Sequence, residues 1–304
     1  MMKKEHFILL ILILTIFITG CNGSSFLGSG PNGVQILFIQ PESTITSRGI
    51  DEGSSVPIEL ELTNYAECNV IGTLCVKDTL SDVYGGISEQ CKNINFEESR
   101  TNNNKLELDK QTYIFTSQPY TNLFKDQETN LQATAKYSCD IIVGPKRVCT
   151  QSPFENDETK CKNFETISGS ALSSRVAPIT VGSIDKQLFL SGDNDIKLKT
   201  AITFKKMSKG KVSIQNENQE SNLKGNPIKI DVDYAGSQMT CTGRDYKDGI
   251  LSWKSSDTEK IINCEILLNT RELQENPLNI RLDYIYEITE SKLIKINHIE
   301  KEGA

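Results

Sequence analysis

From Val34 onward the chain is written largely with a period of two. Val34, Ile36 and Phe38 alternate with Gln35 and Leu37, and Val56-Pro57-Ile58-Glu59-Leu60-Glu61-Leu62-Thr63 runs cleanly in and out before the turn former Asn64. Leu131, Ala133, Ala135, Tyr137 and Cys139 share one side of a further stretch, with Gln132, Thr134, Lys136 and Ser138 on the other. The second half repeats the style in Ile196–Phe204, Ile228–Tyr234 and Ile280–Ile288. Such alternation predicts strands with one buried and one wet face, as in antiparallel sheets. Shorter strands are expected near Ile71–Val76, Lys105–Leu108 and Tyr113–Thr116. Gly192-Asp193-Asn194, Lys209-Gly210, Ala235-Gly236 and Asp248-Gly249 supply turns, and Gly85-Gly86 turns the loop Asp82–Ser88. Only Thr270–Glu275, before Pro277, reads as a helical turn, with Thr270 as its N-cap. The chain is therefore expected to be all-β, with two consecutive antiparallel β-sandwiches at 34–178 and 179–304 meeting at Ala177-Pro178.

The first 33 residues follow another pattern. Lys3 and Lys4 precede an Ile/Leu/Phe run from Phe7 that ends in Ile18-Thr19-Gly20-Cys21. A basic stub, an apolar core and small residues make a secretory signal. The core falls short of the roughly 20 apolar residues that span a bilayer. Residues 1–21 thus read as a signal helix with a lipobox, and Cys21 as the residue that takes the lipid. Residues 22–33, small and polar, read as a flexible tether. The expected location is extracytoplasmic, with the membrane contacted through Cys21. Asn22-Gly23-Ser24 forms a glycosylation sequon too close to that anchor to favour modification.

Of nine cysteines, setting Cys21 aside leaves an even number for disulfides in an oxidising compartment. Cys149 and Cys161 enclose a stretch without periodicity, and closing it would stabilise by roughly 3 kcal/mol. Cys241 and Cys264 both fall on core-facing positions and form the second expected pair. Cys68, Cys75, Cys91 and Cys139 admit three pairings that spacing leaves open. Glu155, Asp157 and Glu158 lie between Cys149 and Cys161, but their spacing is not that of an EF-hand. With no CxxC pair, neither a metal nor a cofactor is expected.

Charge and histidine content narrow the chemistry. The net charge of −7 and the lack of a basic stripe argue against nucleic-acid binding. His6 lies in the signal, which leaves His298 as the one histidine beyond it. A triad needs one imidazole with partners, which His298 alone could supply, and the usual zinc sites need one or more histidines or four free thiolates. No nucleophile elbow, HExxH, Walker loop or Rossmann fingerprint occurs. His298 reads as an exposed edge residue. Trp253, Tyr246 and Tyr120 are candidate contact aromatics, although Trp253 follows Ile250-Leu251 and reads as core.

The lipobox Ile18–Cys21, the opening strand Val34–Phe38, the strand end Glu59–Asn64 and the run from Val148-Cys149 through Cys161 to Ala177–Val181 resemble archaeal-type secreted lipoproteins with Ig-like, CARDB-like repeats. The resemblance implies two Ig-like modules displayed on the cell surface, and it carries no catalytic residue. A binding or structural module for envelope assembly, adhesion, or protein or glycan contact is the leading expectation. The rivals are a glycan-acting enzyme working through paired carboxylates, which would need no histidine, and an accessory subunit of a membrane complex, which would expose an apolar patch. Replacing Cys21→Ser is expected to leave the protein unprocessed or released from the membrane fraction, which immunoblotting of fractionated cells and intact-mass measurement would check.

Overall fold

The computed structural model describes residues 32–42, 48–102, 105–153, 161–192, 195–213, 225–269 and 272–300. Strands dominate these residues. In chain order they are β1 (Val34–Gln40), β2 (Ile50–Asp51), β3 (Pro57–Asn64), β4 (Val70–Asp78), β5 (Gln90–Phe96), β6 (Arg100–Asn102), β7 (Lys105–Glu107) and β8 (Asp109–Thr116). Then come β9 (Gln127–Val143), β10 (Val148–Thr150), β11 (Phe164–Ser168), β12 (Ile179–Ser191), β13 (Asp195–Lys206), β14 (Lys211–Ser213) and β15 (Asn226–Tyr234). The last are β16 (Ser237–Gln238), β17 (Thr240–Thr242), β18 (Tyr246–Lys247), β19 (Ile250–Trp253), β20 (Glu259–Leu268), β21 (Gln274–Asn276) and β22 (Leu278–Asn297). A short helix, α1 (Ser81–Tyr84), precedes the positive-φ pair Gly85 and Gly86. The expectation of an all-β, antiparallel fold holds. Among the described residues the one parallel pairing is the two-residue contact of β2 with β22.

The largest sheet runs β18-β19-β15-β22-β9-β4-β5. Its centre is an unbroken antiparallel ladder from Ile280↔Val143 to Ile296↔Gln127. At roughly 3.4 Å per residue such strands are unusually long. On one flank β4 pairs with β9 over Ile71–Asp78, and on the other β15 pairs with β22 over Leu278–Tyr284. The period of two decides what this sheet buries. Leu131, Ala133, Ala135, Tyr137, Cys139, Ile141 and Val143 of β9 are buried on one face, as are Leu278, Ile280, Leu282, Tyr284 and Tyr286 of β22. The opposite face carries Gln132, Thr134, Lys136, Ser138 and Asp140 toward water.

Two smaller sheets cover the buried face. The sheet β1-β3-β8 lies over one end, and β11-β12-β13-β20-β17 over the other. Tyrosine hydroxyls mark where they meet. Tyr137 Oη accepts a hydrogen bond from Val34 N at 3.2 Å, at the start of β1. Tyr284 Oη accepts from Ile179 N at 3.0 Å and donates to Ile179 O at 3.1 Å, at the start of β12. Tyr286 packs against both rings, with centroids 6.1 Å and 6.3 Å away, and donates to Ser208 O at 3.0 Å. All three hydroxyls are held above the ordinary tyrosine range, chiefly by burial, Tyr286 at about 12. The result is a two-layer β-sandwich with one continuous sheet facing two.

This arrangement corrects the division expected at Ala177-Pro178. Residues 31–304 form one compact unit, and sheets run across that point. β9 from before it pairs along its length with β22 from after it, and β11 pairs with β12. Ala177-Pro178 lies in a connection that leads into β12 of the one fold. A second correction concerns Thr270–Glu275. Gln274–Asn276 is a strand whose main-chain groups pair with β10, from Thr150↔Gln274 to Val148↔Asn276, and an available β partner outweighs a weak local helical preference. The turns Ala235-Gly236 and Asp248-Gly249 are as expected. Both residues of each have positive φ, the geometry of two-residue type I′ hairpins, and they join β15 to β16 and β18 to β19.

Since both lobes share β9 and β22, urea denaturation followed by circular dichroism and by Trp253 fluorescence should give one coincident transition. Tyr284→Phe leaves both main-chain groups of Ile179 unpaired in the core and is expected to lower stability by about 1–3 kcal/mol, read as a shift of that midpoint.

Candidate functional site

Cys149 is bonded to Cys161 and Cys241 to Cys264. The pairing left open by spacing is Cys68–Cys139 and Cys75–Cys91. Four disulfides fit an oxidising, extracytoplasmic setting. Among the described residues no helix is long and apolar enough to cross a membrane. Cys21, the Asn22 sequon, Thr270 and the acidic trio Glu155, Asp157 and Glu158 lie outside the described residues.

The singled-out aromatics do not gather into a contact surface. Trp253 is buried, and its Nε1 donates to Asp257 O at 3.2 Å. Tyr120 is also buried, contrary to its reading as a contact residue. Its hydroxyl donates to Asp78 Oδ2 at 3.0 Å, and the same carboxylate accepts from Leu80 N and Ile87 N, each at 2.7 Å. Asp78 thereby fixes the turn around α1, and Tyr120 serves that turn. Tyr246 is half-buried beside the core. His298 is likewise not a bare edge residue. Its Nδ1 lies 2.8 Å from Glu52 Oε2. Burial pushes the Glu52 carboxyl up, but hydrogen bonds from His298, Leu123 N and Ile299 N outweigh that and hold it below the usual range.

The geometry that can receive a ligand lies elsewhere, on the outer face of the sheet β11-β12-β13-β20-β17. Strand register writes this face as two rows. Phe164↔Gln187↔Lys199↔Glu265↔Thr240 forms one, and Thr166↔Asp185↔Ala201↔Asn263↔Thr242 the next. Side chains within a row stand about 5 Å apart. Ala201 is the shortest of them and sits at the middle of its row, so the polar side chains around it enclose a hollow of ≈ 370 Å³. Asp185, Gln187, Lys199, Asn263, Glu265 and Thr242 supply its hydrogen-bonding wall.

These side chains are positioned by one another. Thr166 Oγ1 donates to Asp185 Oδ1 at 2.6 Å. Lys197 Nζ lies 3.3 Å from Glu265 Oε1, and Lys199 Nζ 3.6 Å from Glu265 Oε2. The hydrogen bond from Lys197 is the main reason that the Glu265 carboxyl titrates below its usual range; desolvation opposes it, and the charges of Lys197 and Lys199 add to the lowering. At one side stand two exposed aromatics, Phe164 and Phe189, in an edge-to-face pair with centroids 6.3 Å apart. Lys199 Nζ lies 5.3 Å from the Phe189 ring centre. A charge-balanced set of amides, hydroxyls, carboxylates and ammonium groups beside an apolar ledge can bond hydroxyl groups while stacking on their carbon skeleton.

No protein family matches the chain, and no curated protein matches it. The face was missed in the sequence because alternation marks its residues only as wet. One signal was present: Phe189 takes an outward position between the inward Leu188 and Leu190, where a polar residue is the norm. Since Glu265 is held ionised by its lysines, its NMR titration should have a midpoint below that of an ordinary glutamate. Lys197→Ala should move it upward, toward the ordinary value.

Proposed function

We propose that this protein is a lipid-anchored cell-surface binding module without a catalytic role, and that it takes glycans on the outer face of the sheet β11-β12-β13-β20-β17. The observation that carries the reading is the hollow over Ala201, walled by Asp185, Gln187, Lys199, Asn263 and Glu265 and flanked by Phe164 and Phe189. Sugars offer hydroxyl groups at their edges and C–H groups on their faces. A face with both mutually anchored polar groups and exposed rings matches both surfaces at once. Oppositely charged side chains are present in balance, which favours a neutral sugar over a strongly charged polymer.

The anchor belongs to the same reading. The apolar run before Cys21 exports the chain, the lipid on Cys21 holds it, and residues 22–33 set the folded part off the membrane. The rival, a carboxylate-dependent glycan hydrolase, needs one acid with a raised pKa. Glu265 is shifted the other way by Lys197 and Lys199, so this groove carboxyl stands ionised near neutral pH and holds no proton to give a leaving group.

Ala201→Trp would fill the hollow from an outward position, and Phe164→Ala would remove the ledge without touching the core. On a glycan array followed by titration calorimetry, the wild type is expected to bind a neutral oligosaccharide. Ala201→Trp should abolish that binding, and Phe164→Ala should weaken it by about tenfold, in line with ring stacking worth roughly 0.5–1.5 kcal/mol. Binding that persists unchanged in both variants would place the ligand elsewhere.

A further inference from the structure

Lys186 is an anomaly of the inner face. It sits on β12 at a core position, and its side chain is 0% exposed. Long cations are almost never buried without a specific partner. Its Nζ donates to Cys149 O at 3.2 Å, lies 3.2 Å from Cys149 Sγ and 3.9 Å from Cys161 Sγ, and pairs with Glu165 Oε2 at 3.2 Å. Nothing in the glycan reading uses this group.

We infer that Cys149–Cys161, with Lys186 beside it, is a thiol–disulfide exchange site that reacts with dithiols. An attacking thiolate forms a bond to one sulfur while the S–S bond breaks, and the electron pair passes to the other sulfur, which leaves as a thiolate. Whichever sulfur is attacked, the leaving thiolate forms within 3.9 Å of Nζ. A cation there stabilises that thiolate or protonates it, and a better leaving group speeds exchange. The second thiol of the reductant then displaces the mixed disulfide. The protein gains two electrons and two protons, and the dithiol becomes a cyclic or bridged disulfide.

The surroundings favour this role. Burial lowers the Lys186 ammonium below the ordinary lysine range against the opposing pull of Glu165, so its proton is more readily given up. The other charged or titratable groups near the site are Lys162, whose charge also lowers Lys186, Glu275 opposite Cys149 across β10 and β21, Arg147 at 3.7 Å from Glu275, and Tyr234, whose hydroxyl donates to Val148 O at 3.2 Å. The other disulfides have no lysine contact of this kind among the described residues. Cys68–Cys139 is enclosed by the apolar core at both sulfurs, whereas in Cys149–Cys161 only Cys161 is fully buried and Cys149 is half-buried, so the incoming thiolate meets Cys149 Sγ and Cys161 leaves. Opening Cys149–Cys161 would untie β10 from the chain that leads into β11, which carries Phe164 and Thr166. The inference stands whether or not the outer face binds sugar.

The test follows each disulfide in the purified mature protein during timed exposure to dithiothreitol, with alkylation to stop the reaction and peptide mass mapping to assign the bonds. In Lys186→Met, opening of Cys149–Cys161 is expected to slow by roughly three- to tenfold, with the other three bonds unchanged. A packing role alone would give the opposite sign, because a loosened core exposes the bond. An equal or faster rate in the variant therefore overturns the inference. If Lys186→Met does not fold, the wild type decides. After selective reduction, alkylation of Cys149 against pH should have its midpoint at least a unit below the ~8.5 of a free thiol. A midpoint at or above that value overturns the inference.

Discussion

The ladder between β9 and β22 is the constraint from which the rest of the architecture follows. Its seventeen paired positions run from Ile280↔Val143 to Ile296↔Gln127, and the apolar side chains of Leu131–Val143 and Ile280–Ile288 lie under two separate covering sheets, before Glu290 and Lys292 interrupt the row on β22. A sheet with one apolar face has to bury it, and here the sheets β1-β3-β8 and β11-β12-β13-β20-β17 share that task. The N-terminal half supplies one central strand and the C-terminal half the other. Each lobe therefore borrows half of its inner sheet from the opposite end of the chain.

Where the two covers meet, an apolar seam would leave the first main-chain groups of β1 and β12 without partners. Tyr137 and Tyr284 resolve this. Both stand on the buried face of the long ladder and hold their hydroxyls out to Val34 and Ile179. An unpaired buried N–H costs about 1–3 kcal/mol, so a tyrosine serves where a phenylalanine of the same shape would not. Tyr286 fills the space between their rings and reaches across to Ser208. The seam is built from three phenols because it needs bulk below and hydrogen bonds at the tip.

The two faces of the sheet β11-β12-β13-β20-β17 divide the chemistry. The inner face holds the core and, exceptionally, Lys186 against the Cys149–Cys161 bond and Glu165. The outer face holds the hollow over Ala201 with the Phe164 and Phe189 rings at its side. β12 supplies both, since Lys186 points inward while its neighbours Asp185 and Gln187 point outward. Side chains of a strand alternate by geometry, so one strand can carry a reactive core group and a binding surface at adjacent positions.

The sequence by itself determined the local features of this protein. Alternation marked the strands, including Leu131–Cys139 and Ile280–Ile288, and which side of each is buried. Turn residues such as Ala235-Gly236 and Asp248-Gly249 marked the hairpins, because few residues accept positive φ. The facing of Cys241 and Cys264, and the short span from Cys149 to Cys161, marked two bridges. Only the tertiary structure decided which strands are neighbours. A strand's period says nothing about its partner, so β9 and β22, more than a hundred residues apart, could not be joined on paper, and Ala177-Pro178 read as a boundary that the sheets cross. The same ignorance hid the outer groove and the setting of Lys186. Asp185, Ala201 and Asn263 come from three strands, and they become one surface only when hydrogen-bond register sets them side by side.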